Sequence, residues 1–230
     1  HLLMRWFLLG EQVESGRARG VIPAWFIGAC LECGLLREDG DRFFSTFLIA
    51  PYASTLVVSD PHSRLLSPDE DHVLTVSPAS RHLLDFTARR PVGTALDLGS
   101  GCGIQAMSLA AHAREVTATD LNPRATMFAV FNARLNGLDN IRCVTGDSFT
   151  PVEGRAFDLI VSNPPFIMTP SHKFLYRDNP MELDQFCRLL VKEAPRHLAE
   201  GGLYQMIFEW AEVEGQSWED RLSEWWQNSG

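Results

Sequence analysis

The sequence predicts an α/β chain: an open parallel sheet in the C-terminal part, preceded by a smaller winged-helix-like lobe. Three observations predict it. From Thr94 onward, short apolar strand-like runs alternate with helical segments, the pattern of parallel strands joined by crossover helices. A glycine turn, Gly99-Ser100-Gly101-Cys102-Gly103, stands directly between a strand run and a helix run, at the carboxyl edge where such sheets take their ligands. Residues 21–44 read instead as one helix followed by strand, turn and strand, the order of a winged-helix lobe. At 230 residues the chain can bury one good core and an appended lobe.

Residues 1–77 are expected to form that lobe, 78–93 a connecting helix and linker, and 94–230 the sheet domain. In the lobe, Ile22, Trp25, Phe26, Ala29, Cys30, Cys33 and Leu36 recur at helical spacing, and Pro23 suits a first helical turn. Residues 34–44 switch to a hairpin pattern around Asp39-Gly40, and residues 54–59 read as another extended run. A helix is expected over 80–88. Strands are expected over 94–98, 116–119, 141–145, 157–162 and 203–209, with helices over 104–112, 124–136 and 183–198. An amphipathic helix over 218–226, carrying Leu222, Trp225 and Trp226, closes the chain. Residues 21–36 contain neither Lys nor Arg, so the lobe reads as a cover or dimerisation element rather than a nucleic-acid reader.

Composition narrows the function. The net charge of −9 lacks the basic footprint that holds duplex nucleic acid, which favours a protein or small-molecule substrate. The longest apolar stretches, 6–9 and 21–31, are too short to span a bilayer, so no membrane is implied. His1-Leu2-Leu3-Met4-Arg5-Trp6 has no signal-peptide character, and a start at His reads as a trimmed chain. The five cysteines are scattered; Cys30 and Cys33 form a lone CxxC inside an apolar helical run, which suits core residues rather than a metal site. A reducing, cytoplasmic setting and no metal follow; the oligomeric state is not legible.

The chemistry is carried by strand ends. Ala95-Leu96-Asp97-Leu98 runs into the glycine turn, whose GxGxG spacing, with Ile104 next, fits a dinucleotide fingerprint poorly. Asp120 closes the second strand, where a carboxylate can accept from both ribose hydroxyls of a nucleoside. Asp147 follows the third strand and suits an adenine amino group, or simply a turn. Asn163-Pro164-Pro165-Phe166 follows the fourth. Neither proline has an N–H, so this stretch displays carbonyl acceptors, Asn163 can add its side-chain oxygen, and Phe166 offers a flat face for a planar group. Acceptors so placed grip an NH₂ group and stabilise positive charge developing on its nitrogen.

Together, Asp97-Leu98-Gly99-Ser100-Gly101-Cys102-Gly103, Asp120, Asp147 and Asn163-Pro164-Pro165-Phe166 resemble the motifs of class I S-adenosylmethionine-dependent methyltransferases. Within that superfamily they look like the HemK-type release-factor glutamine methyltransferases and related "methyltransferase small domain" proteins. The resemblance covers about residues 91–211. It implies a Rossmann-like sheet and S-adenosyl-L-methionine as cofactor. It also implies that Asp97, Gly99 and Gly101 line the methionine side, Asp120 holds the ribose, Asp147 the adenine and Asn163 the substrate nitrogen. Two departures stand out: the HemK-type lobe is helical rather than winged, and of a seven-stranded core only five strands are read before Gly230, so the last strands are expected to be missing. Residues 172–178 could cover the substrate.

The expected activity is N-methylation of a planar NH₂, a protein glutamine amide ahead of an exocyclic amine of an RNA or DNA base. Small-molecule O-methylation wants a base to deprotonate a hydroxyl, which Asn163-Pro164-Pro165-Phe166 lacks. A non-catalytic scaffold is the remaining alternative.

Overall fold

The computed structural model describes residues 1–61, 69–169 and 174–227. The chain opens with α1 (Leu2–Phe7), β1 (Val13–Glu14), α2 (Ser15–Arg19), α3 (Ala24–Glu32), β2 (Leu36–Asp39) and β3 (Arg42–Ser45). The strands form an antiparallel sheet in the order β1-β3-β2, closed by Gly40 at a φ of 58°. Trp6, Ile27, Leu36 and Phe43 bury together as its core. The helix and hairpin read from residues 21–44 are therefore present.

A second hairpin, β4 (Leu48–Tyr52) with β5 (Thr55–Ser59), follows. Its inner residues Val57 and Val58 pack against Phe128 and Cys102, which belong to the sheet domain.

The connecting helix α4 (Pro78–Phe86) starts where the Ser77 hydroxyl accepts from the Ser80 N–H, with Pro78 pre-set for the first turn. The domain continues as β6 (Val92–Leu98), α5 (Ile104–Leu109), β7 (Ala113–Asp120), α6 (Pro123–Leu135), β8 (Ile141–Thr145), β9 (Phe157–Ser162), α7 (Gln185–Glu193), β10 (Leu198–Met206) and α8 (Trp218–Gln227). Asn122 caps α6 by accepting from the Arg124 N–H at 2.9 Å, ahead of Pro123. The five strands β10-β9-β6-β7-β8 form one parallel sheet. Residues alternate between its faces: Ala95, Leu159 and Val161 join one cluster, Leu96, Ile160 and Leu198 the other.

Several boundaries differ from expectation, the helix expected over 104–112 ending at Leu109, and two elements differ most. The strand expected over 203–209 begins at Leu198 and ends at Met206. The strand passes through Gly201-Gly202 as an irregularity between the Leu198 and Leu203 pairings. The helix expected over 183–198 ends at Glu193 and tightens into a 3-10 turn over Ala194–His197, because Pro195 has no N–H to continue the α ladder. No helix among the described residues is long and apolar enough to cross a membrane.

Candidate active site

Register places the chemistry. Leu98 lies opposite Thr119 on one side and Ser162 on the other, and Asp120 lies opposite Thr145. The carboxyl ends of β6, β7, β8 and β9 therefore finish level. A cavity of about 370 Å³ opens there, the size of a small-ligand pocket. Gly99, Gly101, Asp120, Asp147, Asn163, Pro164 and Pro165 all line it. Four motifs far apart in sequence meet in one space.

The glycine turn is built to leave room. The Gly99 and Ser100 N–H groups both donate to the Thr119 carbonyl at 2.9 Å, tying the turn to the end of β7. Gly99 and Gly101 have φ of 76° and 52°, and a Cβ added to either would meet no atom within 4 Å. Backbone here faces open cavity, as close approach by a ligand requires. Gly103 differs: at a φ of 82°, a Cβ would lie 3.0 Å from the Cα and Cβ of Ala129 on α6. That glycine serves packing.

Asp120 accepts from the Gly101 N–H at 2.8 Å and from the Asn122 N–H at 2.9 Å. One lone pair of each oxygen is thus spent on the turn, leaving further acceptor capacity toward the cavity. Burial raises its carboxyl above the usual value. Asp97, expected to line the cavity, does not. It is fully buried beneath the turn, where Oδ2 accepts from the Ala106 N–H at 2.8 Å and so caps α5 from below. The register explains this: Asp97 sits inside β6, paired with Ala118 and Val161, one residue short of the strand end. Burial pushes its carboxyl up to about 7, with the nearby Asp120 charge adding to the rise. Its Oδ1, the Ser100 Oγ and the Thr119 Oγ1 are buried with no hydrogen-bond partner among the described residues.

On the other side, Asn163 is half-buried. Its Nδ2 donates to the Ser80 Oγ at 3.3 Å, and its Oδ1 has no partner among the described residues. Phe166, expected to face the planar group, is turned away from it. It does not line the cavity; its ring packs with the cluster of Cys187, Val191 and Trp225. The cause is α8, which brings the fully buried Trp225 onto that face. Among the rings that do line the cavity are Phe186 and Tyr176, the latter 5.3 Å from the His72 ring. A backbone pairing between Ile167 and Asp178 returns the chain so that Tyr176 reaches the site. Of the expected cover over residues 172–178, positions 172 and 173 lie outside the described residues. Asp147, at the far strand end, is exposed and accepts from the Ser148 hydroxyl at 2.8 Å.

The sequence reading missed Ser77, Ser80, Thr75 and His72, all of which line the cavity. Only the N-cap pattern at Ser77-Pro78 was locally legible, and it marks a helix start, not a wall. The set of groups suits a nucleoside bearing a positively charged sulfur: a glycine turn open to the backbone, the half-buried Asp120 carboxylate, and the acceptors of Asn163-Pro164-Pro165.

Residues 74–211 match the family described as "Methyltransferase small domain". A release factor glutamine methyltransferase of Xylella fastidiosa is 30% identical over 213 residues, covering 87% of this chain and 68% of that protein. Ribosomal RNA small subunit methyltransferase C of Alcanivorax borkumensis is 31% identical over 146 residues, 64% of this chain and 39% of its own length. A Salmonella typhimurium release factor glutamine methyltransferase is 44% identical over 84 residues, 35% of this chain and 30% of that protein. The chain thus spans well under half of two of these three relatives. Among solved structures, a SAM-dependent methyltransferase from Agrobacterium tumefaciens superposes with a TM-score of 0.54 at 19% identity, covering 88% of this chain and 67% of that one. The T. thermophilus 16S rRNA N2 G1207 methyltransferase, in complex with AdoMet and guanosine, gives 0.53 at 19% identity, covering 84% and 54%. At such identities these two show a shared fold.

Proposed function

The chain belongs to the methyltransferase small domain family, and we propose that it transfers a methyl group from S-adenosylmethionine to the planar NH₂ of a protein glutamine. One observation carries this reading: the open glycine turn, Asp120 and Asn163-Pro164-Pro165 share a single cavity, where the Asn163 Oδ1 has no partner among the described residues.

When bound, the cofactor supplies an electrophilic methyl on a positively charged sulfur. The chain's own residues do the rest by position. Gly99 and Gly101 let backbone meet the methionine portion closely. Asp120 would accept from the ribose hydroxyls with the lone pairs that Gly101 and Asn122 leave free, and Asp147 would accept from the adenine amino group. Asp97 acts through the turn rather than by contact, since it anchors α5 from below. Asn163 Oδ1 and the carbonyls of the proline stretch accept the N–H bonds of the incoming nitrogen. They would aim its lone pair at the methyl and stabilise the positive charge it gains as the carbon–sulfur bond breaks to leave a neutral thioether, the surplus proton then passing to solvent.

A protein acceptor is favoured by the net charge of −9 and by the Xylella relative, which aligns over most of the chain. An exocyclic base amine is the second reading, favoured by the likeness to ribosomal RNA small subunit methyltransferase C; both groups offer a planar NH₂ to Asn163. Fractionated cell extract incubated with labelled S-adenosylmethionine separates the two. Label that protease releases and nuclease does not supports the glutamine reading, and the opposite result moves the activity to a base. Asn163→Ala should lose at least ~100-fold in transfer while cofactor affinity by calorimetry stays within about twofold. Asp120→Ala should reverse the emphasis, weakening cofactor affinity first by about tenfold or more.

A further inference from the structure

We propose that Ser80, on the connecting helix α4, is the positioning residue that sets which atom of Asn163 faces the acceptor. Asn163 presents two chemically opposite ends, an oxygen that accepts and an NH₂ that donates, and a half-turn of its amide exchanges them. Only the oxygen can hold an N–H bond of the methyl acceptor. What decides the orientation is the partner of the other end.

That partner is the Ser80 hydroxyl, 3.3 Å from the Asn163 Nδ2. A hydroxyl can donate or accept, so Ser80 alone would tolerate either orientation. Ser77 is the second partner of that hydroxyl. Its Oγ lies 3.0 Å from the Ser80 Oγ, a contact in which either hydroxyl can donate, and it also receives the Ser80 N–H at 3.1 Å. We assign the Ser80 proton to Ser77: Ser80 then shows Asn163 only lone pairs, which matches the Asn163 NH₂ lying against Ser80 and leaves its oxygen to the cavity. The pair is itself held. Gln105, buried on α5, donates to the Ser80 carbonyl at 2.8 Å and fixes α4 against the helix that follows the glycine turn. Ser80 is 8% exposed, so water competes little for these bonds. The helix read from sequence as a linker thereby selects for a nitrogen that donates, against a carbonyl or ether that only accepts. The link to catalysis rests on the acceptor role proposed for Asn163; the hold on its amide does not.

Two measurements test it. In protein labelled with ¹⁵N-asparagine, the side-chain NH₂ resonance of Asn163 is assigned by its loss in Asn163→Ala. Ser80→Ala should displace that resonance and speed its exchange with water, and Ser80→Thr, which keeps the hydroxyl, should restore both. Using unfractionated cell extract as acceptor, Ser80→Ala should lower the transfer rate about tenfold with the calorimetric affinity for S-adenosylmethionine unchanged, and Ser80→Thr should recover most of it. Should Ser80→Ala melt early, Ser80→Cys fills nearly the same volume with a weaker acceptor and is expected to displace the same resonance. An Asn163 resonance identical in wild type, Ser80→Ala and Ser80→Cys overturns the proposal. A displaced resonance in a protein that labels nothing in the extract upholds Ser80 and instead removes the methyl-transfer reading.

Discussion

Asp97 shows how far one residue's identity and its role can part. Its place before the glycines marked it for the cavity, but its carboxylate lies under the turn, one oxygen on the Ala106 N–H and the other without a partner among the described residues. A buried charge so poorly compensated is costly, and burial raises its carboxyl from 3.8 to about 7. Between those values the folded protein keeps a proton that the unfolded chain has released. Stability therefore falls as pH rises through that window and levels off above about 7. Asparagine offers the same acceptor to Ala106 and never ionises. Asp97→Asn should thus melt higher than the parent at pH 8 by an amount corresponding to about 2–4 kcal/mol, and show a much smaller gain at pH 5, both without added cofactor. An equal difference at the two pH values would mean that Asp97 does not titrate in this window.

At the level of elements, the part of the site that was legible is the part encoded locally. β6 with its glycine turn, the Asp120 end of β7 and Asn163-Pro164-Pro165 after β9 were each readable, because strand periodicity and turn chemistry are written within a few residues. The wall from α4 and the turning away of Phe166 were not, and Tyr176 was legible only as part of the cover expected over residues 172–178. They depend on Trp225 reaching Cys187 and Val191, and on Ile167 pairing with Asp178, contacts that no short window contains. Even within the turn, three similar glycines divide by surroundings. Gly103→Ala combines a left-handed φ of 82° with contacts of 3.0 Å to Ala129, and should cost about 2–4 kcal/mol in denaturant unfolding. Gly101→Ala places its Cβ in open cavity at a φ of 52°. It should cost only about 1 kcal/mol of stability while reducing S-adenosylmethionine affinity in calorimetry. Equal destabilisation by both substitutions would show that packing on α6 is not what distinguishes them.

Across the whole molecule, the second hairpin is joined to the sheet domain by two asparagines four residues apart, Asn132 on α6 and Asn136 at its C-cap. Asn132 receives the Val58 N–H and donates to the carbonyls of Val58 and Cys102, each at 2.8 Å. Asn136 receives the Leu56 N–H at 2.9 Å and donates to the Leu56 carbonyl at 2.8 Å. Alternate residues of β5 thus find on a helix the partners that another strand would supply, which satisfies one edge of the hairpin. Asparagine is an indifferent helix former, and nothing in the local pattern of residues 124–136 marks these two as a docking surface; the match exists only once β5 lies alongside. Burial separates their weights. Asn132 is fully buried, so Asn132→Ala strands three backbone groups away from water and should cost about 3 kcal/mol or more. The Leu56 groups are solvent-exposed, so Asn136→Ala should cost under about 1 kcal/mol. Because Asn132 also grips Cys102 in the glycine turn, its loss should loosen the hairpin and weaken cofactor affinity together, whereas Asn136→Ala should spare the affinity. Hydrogen exchange over residues 48–59 reads the first effect and calorimetry the second. Unchanged protection of Val58 in Asn132→Ala would show that apolar packing against Phe128, not the asparagine, holds the hairpin in place.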